Sequence, residues 1–240
     1  MREHLDFDNR SQARERQFVQ SGAANEFMRQ VFTTMTLGLA ITGMVAWYVA
    51  NTPALMNFLF GGFMTYVTIF SPLVLVFFLS ARIHKMSFAA ASTTFAVYSV
   101  LVGASLSTIF IVYELGTLFQ VFLITAGTFG AMALVGWTTN VDLTKMGSVL
   151  YMALIGLIIA MVVNWFMNSD TMDYIISVIG VLIFSGLTAY DTQKLLVIGA
   201  NVDPEAEASK KMALMGALSL YLDFINLFLF LLRLFGGGRD

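Results

Sequence analysis

Residues 174–198, YIISVIGVLIFSGLTAYDTQKLLVI, and residues 212–235, MALMGALSLYLDFINLFLFLLRLF, decide how this chain folds. Each is longer than the roughly 20 residues a helix needs to cross the hydrocarbon of a bilayer. Each also carries one aspartate well inside its apolar run, Asp191 in the first and Asp223 in the second. A carboxylate at that depth costs about 2.5–3.5 kcal/mol on insertion scales, so it faces a partner or a water-filled path and usually carries function.

Further runs of the same kind precede these two, at residues 30–50, 61–81, 88–110, 118–137 and 147–167. The chain is 58% hydrophobic and 12% charged, against about 25% charged in a soluble domain. Its mean hydropathy is +0.79. The connections are short. The expected fold is therefore all-α: a polytopic membrane protein with seven transmembrane helices in one bundle, residues 30–240, behind a polar segment, residues 1–29. Polar groups interrupt the middle of the seventh helix, so it should be the most buried and lie centrally.

The polar segment has no apolar h-region, so no cleaved leader is expected. It reads either as an amphipathic surface helix or as a flexible cytosolic tail. There are no cysteines, which excludes disulfides and cysteine metal sites. No nucleotide loop is present and no cofactor is expected. A net charge of −2 argues against a nucleic-acid partner. The partner that composition demands is the lipid bilayer.

Charge placement orients the bundle. Arg2, Arg10, Arg14, Arg16, Arg29, Arg82, Lys85, Lys145, Lys194, Lys210 and Lys211 fall on the N-terminal side, and only Arg233 and Arg239 on the other. Positive residues collect in cytoplasmic loops. The N-terminus is therefore expected in the cytoplasm and the C-terminus outside, an assignment that depends on an odd number of spans.

Helices in lipid need close contact to associate, and small residues allow it. Ala126 with Gly130, Gly156 with Ala160, and the run Gly103, Ala104, Ser105, Ser107 and Thr108 are the expected packing positions; the hydroxyls of that run also suit a pore lining. Pro72 should kink the second span or mark a joint. Trp47, Trp137 and Trp165 lie near span ends, where indoles favour the interface.

On the sixth span Ser185, Thr188, Asp191 and Thr192 share a face, and on the seventh Gly216, Ser219, Asp223, Asn226 and Arg233 follow a similar stripe. Inward-pointing stripes are the arrangement lipid permits. At ~1.5 Å per residue, Asp191 stands about 10 Å and Asp223 about 16 Å from the same end of the bundle. Contact between the carboxylates is thus expected as a hypothesis. If they meet they cannot both ionise cheaply, and they titrate as a pair sharing a proton. Deprotonated, Asp191 and Asp223 offer hard oxygen ligands suited to Ca²⁺. The alternative is a structural clamp, with Asp191 bonded to a threonine or arginine. Arg82, at the end of the second span, reads either as the cationic partner of Asp191 or as a snorkelling interface residue.

Enzyme chemistry finds no footing. An intramembrane aspartyl protease needs a GxGD motif at its second aspartate and a later Pro-Ala-Leu turn. Here the context is Leu220-Tyr221-Leu222-Asp223, and no proline follows Pro204. A serine protease needs a histidine base, yet His4 and His84 lie at or beyond the boundary. There is no HExxH zinc motif, and no lysine in the last helix's middle to hold retinal.

Gly186-Leu187-Thr188-Ala189-Tyr190-Asp191-Thr192-Gln193 and Ala217-Leu218-Ser219-Leu220-Tyr221-Leu222-Asp223-Phe224-Ile225-Asn226-Leu227-Phe228 resemble the last two helices of the Bax inhibitor-1 family, in its bacterial branch. Leu231-Leu232-Arg233-Leu234-Phe235-Gly236, Val31-Phe32-Thr33-Thr34-Met35-Thr36-Leu37-Gly38-Leu39 and Lys145-Met146-Gly147-Ser148 support the match. The resemblance covers residues 29–240. It implies six helices around a central seventh, in the bacterial inner membrane. It implies a pH-sensitive calcium leak gated by Asp191 and Asp223 as a proton-sharing dyad, with Arg82 as a latch to the first. Some bacterial relatives instead act on membrane-protein quality control through a membrane-anchored ATP-dependent protease, and that is the alternative function. Neither oligomeric state nor conducted ion follows from the residues.

Overall fold

In a computed structural model, the backbone of residues 2–236 and the side chains of residues 21–236 are described, and every regular element among them is a helix. In chain order these are α1 (Arg2–Ala50), α2 (Pro53–Leu59), α3 (Phe63–Arg82) with a 3₁₀ turn at Ile83–Lys85, α4 (Phe88–Leu106), α5 (Ile109–Val112), α6 (Leu115–Thr138), α7 (Thr144–Met167), α8 (Asp170–Gly199) and α9 (Glu207–Phe235). Among the described residues, 7 helical segments are long and apolar enough to cross a membrane: α1 from Ser21, α3, α4 with α5, α6, α7, α8 and α9. Below, the end of the bundle that carries Arg29, Arg82, Lys85, Lys145, Lys194, Lys210 and Lys211 is called the basic end. Arg233 lies near the opposite, far end.

α9 is the axis. It packs against α8, α1, α6 and α4, and 67% of its most apolar stretch is buried, against 11% for α3 and α7. α7 packs chiefly on α8, and α3 chiefly on α4.

Several expectations are refined. α1 does not pause at residue 29: its backbone is helical from Arg2. No proline occurs before Pro53, and the stretch before residue 30 is rich in the helix formers Gln, Ala, Arg and Glu. Ala24, Phe27 and Met28 are buried, so packing begins inside the segment read as a tail. The side chains of Arg2, Arg10, Arg14 and Arg16, and all of Arg239, lie outside the described residues. Pro72 sits within α3, which continues through it; the break instead precedes α3, where Gly62 takes φ 57°. The third span breaks at Ser107, whose hydroxyl donates to the Ala104 carbonyl at 2.7 Å, a local bond that competes with the helix ladder.

The tight packing contacts are also redistributed. Gly130 and Gly156 have open space where a side chain would stand. Two glycines meet the backbone of another helix: Gly103 of α4, whose added Cβ would sit 2.6 Å from the Thr42 carbonyl of α1, and Gly136 of α6, which abuts the backbone of Ala189 in α8.

Candidate functional site: a carboxylate pair between two cavities

Asp191 and Asp223 are 4% and 5% exposed on the two most buried spans. Both line one cavity of about 330 Å³ walled by α7, α8 and α9, which extends past Asn226 to Arg233 near the far end. No hydrogen bond joins them directly among the described residues. Asp223 Oδ2 is buried and finds no hydrogen-bond partner among the described residues. A buried unpartnered carboxylate oxygen is expensive, and a proton, a water or a cation would each satisfy it. Among the described residues no cluster of three acidic or histidine side chains stands ready to hold a metal.

Asp191 also lines a second cavity, of about 550 Å³, at the basic end between the 3₁₀ turn and the ends of α8 and α9. His84, Lys194 and Lys211 border it. The two cavities share only Asp191 and Ser219.

The rest of the expected stripe divides. Thr188 is buried, but its hydroxyl donates to the Phe184 carbonyl of its own helix at 2.8 Å. Thr192 does the same to Thr188, at 2.7 Å. Asn226 lines the far cavity while donating to the Leu222 carbonyl. Ser185 is half-buried and lines neither cavity. Arg82 is exposed, with its guanidinium 5.7 Å from the centre of the Phe78 ring, and makes no ion pair with Asp191 in this structure. Arg233, the last residue of the seventh-span stripe, contacts Asp173 at 3.5 Å.

Two neighbours escaped the sequence reading. Tyr151 of α7 donates to Asp191 Oδ1 across a long 3.5 Å contact, and its ring meets Tyr190 edge-on. Lys194, one turn beyond Asp191, borders the basic-end cavity with it and lies 5.8 Å from the Tyr190 ring centre. A tyrosine inside an otherwise apolar span was the available signal for the first, but nothing in the sequence pairs α7 with α8. Next to Lys194, Gln193 clamps the α6–α7 connection by accepting from Leu143 N and donating to the Val141 carbonyl, each at 2.8 Å.

On the axis itself, Tyr221 is fully buried and its hydroxyl lies 2.6 Å from Thr42 Oγ1, which donates in turn to the Ser99 carbonyl at 3.0 Å. This ties α9 to α1 and α4 two residues from Asp223.

Seven membrane-length helices with α9 at their centre, and buried carboxylates on α9 and its neighbour α8, define a polytopic membrane protein with an intramembrane acidic pair. Residues 24–240 match the family described as "Inhibitor of apoptosis-promoting Bax1". The chain is 47% identical over 215 residues to the inner membrane protein YbhL of Escherichia coli K12, covering 89% of this chain and 92% of that protein. It is 42% identical over 217 residues to an uncharacterized protein of Borreliella burgdorferi (90% and 94% covered). It is 39% identical over 215 residues to one of Rickettsia prowazekii (89% and 90% covered). The chain belongs to the Bax inhibitor-1 family of integral membrane proteins.

Proposed function

We propose that this chain provides a pH-sensitive calcium leak across the membrane, gated by a proton shared between Asp191 and Asp223. The observation that carries this reading is the pair itself: two buried carboxylates lining one cavity in the span, one oxygen without a partner. Two like charges in one low-dielectric cavity resist joint ionisation, so in this reading one proton serves both and they titrate together. With the proton gone, the pair presents hard oxygen ligands to a divalent cation. It offers fewer than the six to eight oxygens that Ca²⁺ prefers, which suits transit rather than storage. Lys194 and Lys211 at one mouth and Arg233 at the other oppose a divalent cation at both ends, in keeping with a slow leak.

In this reading the basic end faces the cytoplasm of a bacterium, following the positive-inside bias. A latch from Arg82 to Asp191 requires the guanidinium to leave Phe78, and so belongs to another state of the bundle.

Calcium uptake into proteoliposomes at two pH values tests the proposal. Asp223→Asn and Asp191→Asn keep shape but each removes one titrating group, so each should flatten the pH dependence. Wild-type profiles in both variants would make the pair structural. Absence of flux, together with co-purification of a membrane-anchored ATP-dependent protease, would replace the leak with the quality-control role.

A further inference from the structure

We infer that Ser219 is the partition residue of the path: with Asp191 it separates the cavity at the basic end from the cavity at the far end, and its hydroxyl sets what passes between them. This rests on the reading of the two cavities as one interrupted route. Ser219 and Asp191 are the two residues that line both. One step towards the basic end, Met215 lines only the first cavity; one step towards the far end, Leu222 and Asp223 line only the second.

The hydroxyl itself supplies a second, independent observation. Elsewhere in the spans the buried hydroxyls of Ser99, Thr125, Ser177, Thr188 and Thr192 donate to the carbonyl four residues back. That is the usual way a helix in lipid satisfies such a group. Ser219 does not: neither the Met215 carbonyl nor any other described group pairs with it, and it is only half-buried. A hydroxyl withheld from its own helix at the point where two cavities meet is free to bond a passing water, or to replace one in a cation's shell. It is also small. A branched apolar side chain at this position would fill the gap between α8 and α9 and offer no oxygen. Asp191 supplies charge at the partition, whereas Ser219 supplies its width and its uncharged ligand.

The absence of native cysteines makes the test direct. Single variants Ser219→Cys, Met215→Cys and Leu229→Cys are reconstituted in vesicles and treated with a membrane-impermeant methanethiosulfonate from one side or the other. Cys at 219 should react from both sides, at 215 only from the basic end, and at 229 only from the far end. Reaction at 219 from one side alone, or from neither, overturns the proposal. In parallel, Ser219→Val should lower calcium flux about tenfold, equivalent to roughly 1.4 kcal/mol of barrier, while Ser219→Thr, which keeps the oxygen, should lower it less. Equal flux in the valine variant and wild type also overturns it. Two-sided labelling without calcium flux in the unmodified protein would keep the partition and discard calcium; calcium flux with one-sided labelling would do the reverse.

Discussion

α7 and α9 are both apolar helices of membrane length, and α7 is the more apolar. Yet 11% of the α7 window is buried, against 67% for α9. In water the order would be reversed. In lipid, apolar side chains gain nothing by leaving the solvent, so the most hydrophobic helix is free to stay outside. The helix with small residues, a buried aromatic hydroxyl and an acid within its span goes to the centre, where packing and hydrogen bonds hold it. Ile155, Ile159 and Phe166 of α7 point outward. Gly216, Ala217, Tyr221 and Asp223 of α9 point in.

The largest test of this contrast uses glycines. Gly136 faces the α8 backbone, which cannot yield, whereas Gly156 of α7 faces open space. Gly136→Leu should exceed the roughly 1–3 kcal/mol typical of overpacking and abolish a folded monodisperse product in detergent. Gly156→Leu should leave yield and melting temperature within error. A normal Gly136→Leu protein would mean that α6 and α8 do not touch there.

A smaller effect separates two tyrosines. Tyr221→Phe on α9 removes a buried hydroxyl bonded to Thr42 and should cost about 1 kcal/mol, read in a thermal or denaturant midpoint. Tyr151→Phe on α7 should leave that midpoint unmoved, but shift the pH midpoint of calcium flux by withdrawing a donor from Asp191. If both variants affected only stability, the α7 tyrosine would be no part of the site.

The smallest effect lies outside the membrane. Asp142, before α7, is held below the usual carboxylate range by the Thr144 side-chain hydroxyl and then by the Thr144 backbone N–H. A lowered folded-state value means a stabilisation present above the unfolded carboxylate range and lost as pH falls through the folded one. Asp142→Asn should therefore differ slightly from wild type at neutral pH, and the difference should vanish in acid. A difference that grew in acid would invert the assignment.

The number of spans, the presence of Asp191 and Asp223, and the family all stood in the linear sequence. Twenty-residue apolar runs answer to bilayer thickness, and an acid inside one is conspicuous wherever the helix sits. The inward stripes of α8 and α9 followed from helical spacing alone. Tertiary structure decided what the stripes meet. It put Tyr151 and Lys194 beside Asp191, left Arg82 over Phe78, bore out the expected close contact at Gly103 but gave another to Gly136 rather than to Gly130 or Gly156, and made Ser219 common to two cavities. Periodicity fixes which residues share a face of one helix. Which helix that face meets depends on rotation and contact among segments far apart in the chain, and in lipid no hydrophobic gradient along the sequence encodes it.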